Sequence, residues 1–169
     1  SCNPLLYPIV VLAISSGMRR SEILGLRWSD IDLNRGRAIL HDTKNGDRRA
    51  VHLVGHGKDL VFVLSKAERR SEFVFPGKTG LRVVDFKRPW KQALRKAQIF
   101  DFRFHDLRHC AASYLAMSGA TPHDIAEVLG HKSLAMVKRY THLSETHVKG
   151  VVEVMNRSVF SGLNNLSMS

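Results

Sequence analysis

A mainly α-helical fold with a small antiparallel β-sheet is expected of this 169-residue chain. Three observations predict it. Apolar residues recur at helical spacing along most of the sequence. Two strand-like runs flank Asn45-Gly46, the dipeptide that most favours a tight hairpin turn. Hydrophobic residues make up 44% and charged residues 24%, a globular balance without repeats or low-complexity blocks. The length suits one domain with its own core.

The elements follow in order. Pro4 opens an apolar stretch to Ser16 that Gly17 stops, the usual punctuation of a helix. Ser21 to Leu26 reads as a short second helix, followed by Trp28 and a polar turn over Ser29 to Asp32. Arg37 to Thr43 and Arg48 to Leu53 are the two strands, with Lys44 and Asp47 at the hairpin tip. Gly55 to Arg70 is helical in its middle, and Phe73-Val74-Phe75 is a short apolar run closed by Pro76-Gly77. Val83 to Ala97 predicts a basic helix, and His105 to Met117 a helix stopped by Gly119. Thr121 and Pro122 are suited to the N-cap and first position of a helix ending near Gly130. Ser133 to Leu143 predicts another helix. Val148, Val151, Val152, Met155 and Val159 form a helical apolar stripe before a Ser/Asn-rich tail.

Charge narrows the function. Lys and Arg number 26 against 15 Asp and Glu, a net +11. Such a domain usually meets a polyanion, nucleic acid first and an anionic membrane surface second; a basic protein with no polyanionic partner is the weaker alternative. Leu81 to Cys110 holds eight basic and three acidic residues, which suits a phosphate-facing surface. The plainer alternative is a solvated helix face. Two cysteines cannot build a disulfide framework, so a reducing compartment fits. No apolar run approaches membrane-spanning length, and the N-terminal stretch lacks a basic leader.

Several side chains are suited to chemistry. His105 and His109 have the four-residue spacing of a zinc-protease helix, but Arg108 beside them would repel a divalent cation. An anion suits the same residues better, because Arg108 offers a planar fork of donors to phosphate oxygens. Arg19 follows a Gly turn at a helix start, with Glu22 three residues on to orient it. Tyr140 lies nine residues after His131. A lone helix tyrosine is ordinarily a packed aromatic. With an unperturbed pKa of about 10, its phenol needs cationic neighbours to act as a nucleophile.

Ser16 to Asp32, Thr43-Lys44, His105-Asp106-Leu107-Arg108-His109, Leu129-Gly130-His131 and Tyr140-Thr141-His142 together resemble the tyrosine recombinase (phage integrase) family, from about Pro4 to His147. The resemblance implies the catalytic-domain fold of that family and site-specific DNA recombination or integration. It casts Tyr140 as the nucleophile that forms a 3′-phosphotyrosyl bond. Arg19 and Arg108 would hold the non-bridging oxygens, and Lys44 would protonate the leaving 5′-oxygen. His105 and His131 would be further donors, and Glu22 would support Arg19. No cofactor and no metal are implied, in keeping with phosphoryl transfer that relies on fixed cations.

The implied partner is double-stranded DNA, with a homo-oligomer, a tetramer on DNA, in the full-length protein and a monomeric fragment. No membrane is implied, and the setting is the cytoplasm of a bacterium or of a phage's host. Residues 1–160 are expected to form the catalytic domain and 161–169 a flexible tail. The family's N-terminal DNA-binding domain is expected to lie outside this chain, leaving DNA affinity weak and salt-dependent. The segment after Leu143 is expected to dock in cis or in trans and position Tyr140.

Departures from the family are small. His52 stands where a proline is frequent. Arg20, Arg48 and Arg49 stand near the catalytic positions and compete with Arg19 and Lys44 for those roles. Arg20 is disfavoured because the family's arginine directly follows the Gly-X pair. Two other readings are a DNA-binding module without the chemistry and a type IB topoisomerase-like enzyme. The complete set of six candidates favours the enzyme, and the Leu-Gly-His box favours a recombinase.

Overall fold

The computed structural model of the chain describes residues 4–41, 48–67, 71–77, 80, 84–131, 133–140 and 150–156. The described elements are mainly helical with a small antiparallel sheet, as the sequence predicts, but the sheet has three strands because Ile31 and Asp32, expected within a polar turn, pair with Ala38 and Arg37. They fall into two compact units. The first comprises residues 1–111 and 128–130, the second 112–127 and 131–169.

In the first unit, helix α1 (Leu6–Ser16) ends at Gly17, whose φ of 63° is the left-handed conformation that closes a helix. A Cβ there would also lie 2.4 Å from Leu129 Cδ2, so both conformation and space demand glycine. Helix α2 (Arg20–Leu24) follows. Strands β1 (Ile31–Asp32), β2 (Arg37–His41) and β3 (Arg48–His52) form the sheet in that order, with Ala38 opposite Val51 and His41 opposite Arg48. The Asn45-Gly46 turn lies outside the described residues. Helix α3 (Gly55–Lys66) packs against α1. The run at Phe73 bridges to Arg27, and Val74 donates to the Leu26 carbonyl.

Helix α4 (Lys87–Lys96) begins four residues later than the composition suggests. Val84 and Phe86 are instead buried ahead of the helix, Val84 bonding to the Phe75 carbonyl, and the Asp85 carboxylate accepts from the Lys87 N–H. The core joins Leu6, Ile9, Leu12, Ile23, Leu40, Val61 and Phe75. Each such side chain contributes about 1.5–3 kcal/mol on burial. An aromatic cluster extends this core beneath α4. Phe104 lies edge-to-face against Phe86 at 4.8 Å and against Trp90 at 5.4 Å.

Helix α5 (Asp106–Met117) runs from the first unit into the second. Helix α6 (Pro122–Leu129) starts as the sequence predicts. Thr121 Oγ1 accepts from the Asp124 N–H, and the Asp124 carboxylate accepts from the Thr121 N–H. It ends at Gly130 (φ 64°) with the His131 N–H reaching the Ala126 carbonyl, a Schellman closure.

The expected helix over Ser133 to Leu143 is corrected. Ser133 caps a 3₁₀ turn, Leu134–Met136, and Tyr140 donates back to Val137 three residues earlier. Val137 and Tyr140 are the buried members of this stretch, and their spacing of three matches the 3₁₀ period rather than 3.6. Residues 150–156 are helical, with Val151, Val152 and Met155 exposed. No helix among the described residues is long and apolar enough to cross a membrane.

Candidate functional site

A helix leaves its last carbonyls without intrahelical partners, and their dipoles attract cations. At the end of α6, three successive carbonyls each receive an arginine of the first unit. Arg49 Nη1 donates to Val128 O at 2.9 Å, Arg108 Nη2 to Leu129 O at 2.5 Å and Arg19 Nη2 to Gly130 O at 3.0 Å. Arg108 also donates from Nη1 to Gly17 O at 2.6 Å, just past the end of α1. Its guanidinium is thus held between two helix C-termini, and the residue is only 4% exposed.

Glu22 is the acidic member of the cluster. Its carboxylate accepts from the Arg19 backbone N–H at 2.6 Å, from Arg19 Nη1 at 2.8 Å and from Arg49 Nη2 at 2.8 Å. Burial pushes this carboxyl up. The Arg19 N–H, the charge and hydrogen bond of Arg49 and the Arg19 side chain outweigh burial and hold it below the usual carboxylate range. Glu22 and Arg49 side chains are 15% and 20% exposed, whereas Arg19 is 37% exposed. Arg19 is therefore the cation of this trio that opens furthest to solvent.

A carboxylate with a depressed native value stabilises the fold above its unfolded pKa, and that contribution is lost as pH falls through the native value. Unfolding free energy is thus expected to fall on acidification below about pH 5. Glu22→Gln is expected to remove part of that slope and to lower stability near neutral pH by about 1–3 kcal/mol. Urea unfolding at about pH 7 and about pH 4 reads both effects.

The structure brings Arg19, Glu22 and Arg108 together. His105 lies in the same unit, immediately before α5, where it is exposed and its ring meets His109 edge-on at 5.2 Å. Arg108 turns inward instead of sharing an open face with His105, because the carbonyls of Gly17 and Leu129 draw it into the core. Lys44 lies outside the described residues. His131 and Tyr140 belong to the second unit, where Tyr140 is 6% exposed.

Arg49, which the sequence offers only as a competitor for the roles of Arg19 and Lys44, is a member of the cluster in its own right. A signal was available: residues 49, 51 and 53 share one face by strand alternation, and Val51 and Leu53 are buried. An arginine on an inward face requires partners.

A basic surface adjoins this unit's aromatic cluster. Lys87, Arg88, Lys91, Arg95 and Lys96 of α4 are exposed, while Trp90, Ala93 and Leu94 are half-buried. A cleft of about 890 Å³ lies here, lined by Arg20, Arg88, Lys91, Arg95 and Arg103 beside Trp90 and Phe102. Cations above an apolar floor suit a phosphate backbone.

Comparison with known proteins gives these features a setting. The model of the phage integrase family matches residues 5–147. The shufflon-specific DNA recombinase of Escherichia coli is 38% identical over 142 residues, covering 83% of this chain and 35% of the relative. The integrase of Salmonella phage P22 is 32% identical over 160 residues, covering 87% of this chain and 41% of the relative. The chain thus spans less than half the length of these two proteins. Among solved structures, the catalytic domain of bacteriophage HP1 integrase superposes with a TM-score of 0.67 at 26% identity, over 92% of this chain and 85% of that one.

Proposed function

We propose, since this chain belongs to the phage integrase family, that it cleaves and rejoins double-stranded DNA at specific sites through a 3′-phosphotyrosyl intermediate. The observation that carries this reading is the arginine cluster. Arg19 and Arg108 are fixed by carbonyls and by Glu22 before any substrate arrives. Donors held in place in advance need no reorganisation when charge develops on a phosphate, which makes electrostatic stabilisation effective.

In the proposed reaction the Tyr140 oxygen attacks the scissile phosphorus as its phenol proton passes to solvent. The bond from phosphorus to the 5′-oxygen breaks, and Lys44 protonates the leaving oxygen. Arg19 and Arg108 stabilise the non-bridging oxygens, with His105 and His131 as further donors. A 5′-hydroxyl from another strand then displaces the tyrosine. One phosphodiester bond is exchanged for another, so no nucleotide cofactor is required, and the fixed cations take the place of a metal in stabilising charge.

The exposed cations of α4 supply phosphate contacts that set affinity and position. Residues 1–160 act as the catalytic domain, and the full-length protein works as a homo-oligomer on DNA in the cytoplasm.

Covalent trapping tests the reading. A pool of nicked duplexes with a randomised centre is offered at low salt, where phosphate contacts are strongest, with a strong chelator present. Denaturant-resistant protein–DNA adducts are expected with the wild type and not with Tyr140→Phe. An adduct that persists in Tyr140→Phe overturns the reading, as does a wild type that forms none or that needs a divalent metal.

A further inference from the structure

We propose that Arg49 is a positioning residue for the strand-transfer reaction, bracing Glu22 and the end of α6 so that Arg19 is held in place for the phosphate. This inference rests on the proposed function and adds to it a residue outside the six candidates and Glu22.

The argument is geometric. Two guanidinium groups run side by side from one carboxylate to one helix end. Arg19 spans Glu22 Oε1 to Gly130 O, and Arg49 spans Glu22 Oε2 to Val128 O. The two struts close a ring through the backbone of residues 128–130. Such a ring fixes Glu22 from both of its oxygens. With Arg49 removed, Glu22 keeps only the bonds from Arg19 itself, to the backbone N–H and to Nη1, so the carboxylate and the guanidinium it orients lose their tie to β3. A planar fork is needed at position 49, because its two donors serve partners on different elements; an ammonium group has no such geometry.

The space around Arg49 supports the same role. A Cβ on Gly130 would lie 2.7 Å from both Cδ and Nε of Arg49, so the chain leaves room for this side chain to cross the turn. Strand alternation places Arg49 on the face of β3 that also carries the buried Val51, with the buried Leu53 just past the strand end. Among the described residues, the charged groups against Glu22 are Arg19 from its own end of α2 and Arg49 from β3. Arg49 therefore supplies the only one of these charges that comes from a separate element.

A wild-type-selected suicide duplex provides the test, with the chain in its wild-type, Arg49→Gln, Arg49→Lys, Glu22→Gln and Arg49→Gln/Glu22→Gln forms. Single-turnover adduct formation is expected to slow about a hundredfold in Arg49→Gln, the scale of a misplaced catalytic group. Duplex affinity and its salt dependence are expected to stay at wild-type values. The double variant is expected to be no slower than the slower single one, because Arg49 acts through Glu22.

The acid limb of the rate–pH profile is expected to move upward in Arg49→Gln, where burial of Glu22 loses an opposing charge. Arg49→Lys keeps that charge, so the acid limb is expected to return while the rate does not. Should Arg49→Gln melt too low to assay, this contrast in Arg49→Lys decides the matter.

A wild-type rate in either Arg49 variant overturns the proposal. So does a salt slope reduced by about one, the mark of a direct phosphate contact. Additive losses in the double variant overturn it too. A wild type that forms no adduct counts against the proposed function itself, whereas a wild-type adduct with unaffected Arg49 variants counts against Arg49 alone.

Discussion

Arg108→Ala is expected to lower stability by about 2–4 kcal/mol and to slow adduct formation at least about a hundredfold. The two losses have separate origins. In the fold, Arg108 satisfies the carbonyls of Gly17 and Leu129 at two helix ends, and it is buried. Alanine leaves two acceptors without that donor, each costing about 1–3 kcal/mol where water cannot reach. In the reaction, the lost guanidinium removes a preorganised stabiliser of developing phosphate charge. Arg108→Lys separates the effects. It retains the charge without the fork, so it is expected to recover part of the stability and little of the rate. Urea unfolding and single-turnover trapping measure each. A variant with wild-type stability would mean that the buried guanidinium does not hold the helix ends together.

Gly17→Val is expected to destabilise the chain by a similar amount, about 2–4 kcal/mol. Valine at φ 63° is strained, and its Cβ would fall 2.4 Å from Leu129 Cδ2. Leu129 is fully buried and its carbonyl is an acceptor of Arg108. The clash therefore reaches the site through a side chain that touches no substrate. The melting temperature is expected to fall and the trapping rate with it. Gly25→Ala serves as the milder comparison, since Gly25 is exposed, has a negative φ of −83°, and its Cβ would meet only the Ser21 carbonyl oxygen, at 3.0 Å. Equal losses at Gly17 and Gly25 would contradict this account of Gly17.

Much of the fold was legible in the sequence because its signals are local. Gly17, Gly130 and the Thr121-Pro122 start mark helix ends through backbone geometry and capping, which depend on neighbours in the chain. The 3₁₀ turns before Tyr140 were not legible, since apolar residues three or four apart suit either helix and only tertiary burial of Val137 and Tyr140 selects between them. Helix α4 starts late for a related reason: Val84 and Phe86 join the core ahead of the helix, which composition alone does not reveal.

In the site, Arg19 and Glu22 are three residues apart, so their pairing could be anticipated. The partners of Arg108 lie 91 and 21 residues away, and those of Arg49 lie 79 and 27 residues away. Spacing carries no information about such contacts. The inward face of β3 was the available clue to Arg49, and it becomes a site residue only when α6 ends beside it.

The central claim is that Tyr140 becomes covalently attached to DNA in a reaction that the arginine cluster supports. The most direct measurement is the identity of the linked residue. Adducts trapped from the wild-type chain are digested with nuclease and trypsin, and the nucleotide-bearing peptide is sequenced by mass spectrometry. Cleavage after Arg139 and Lys149 places Tyr140 at the head of the peptide 140–149. The predicted result is a nucleotide on Tyr140 through its 3′-phosphate, with a free 5′-hydroxyl on the released strand. Attachment at any other residue, or a 5′-phosphate linkage, would contradict it.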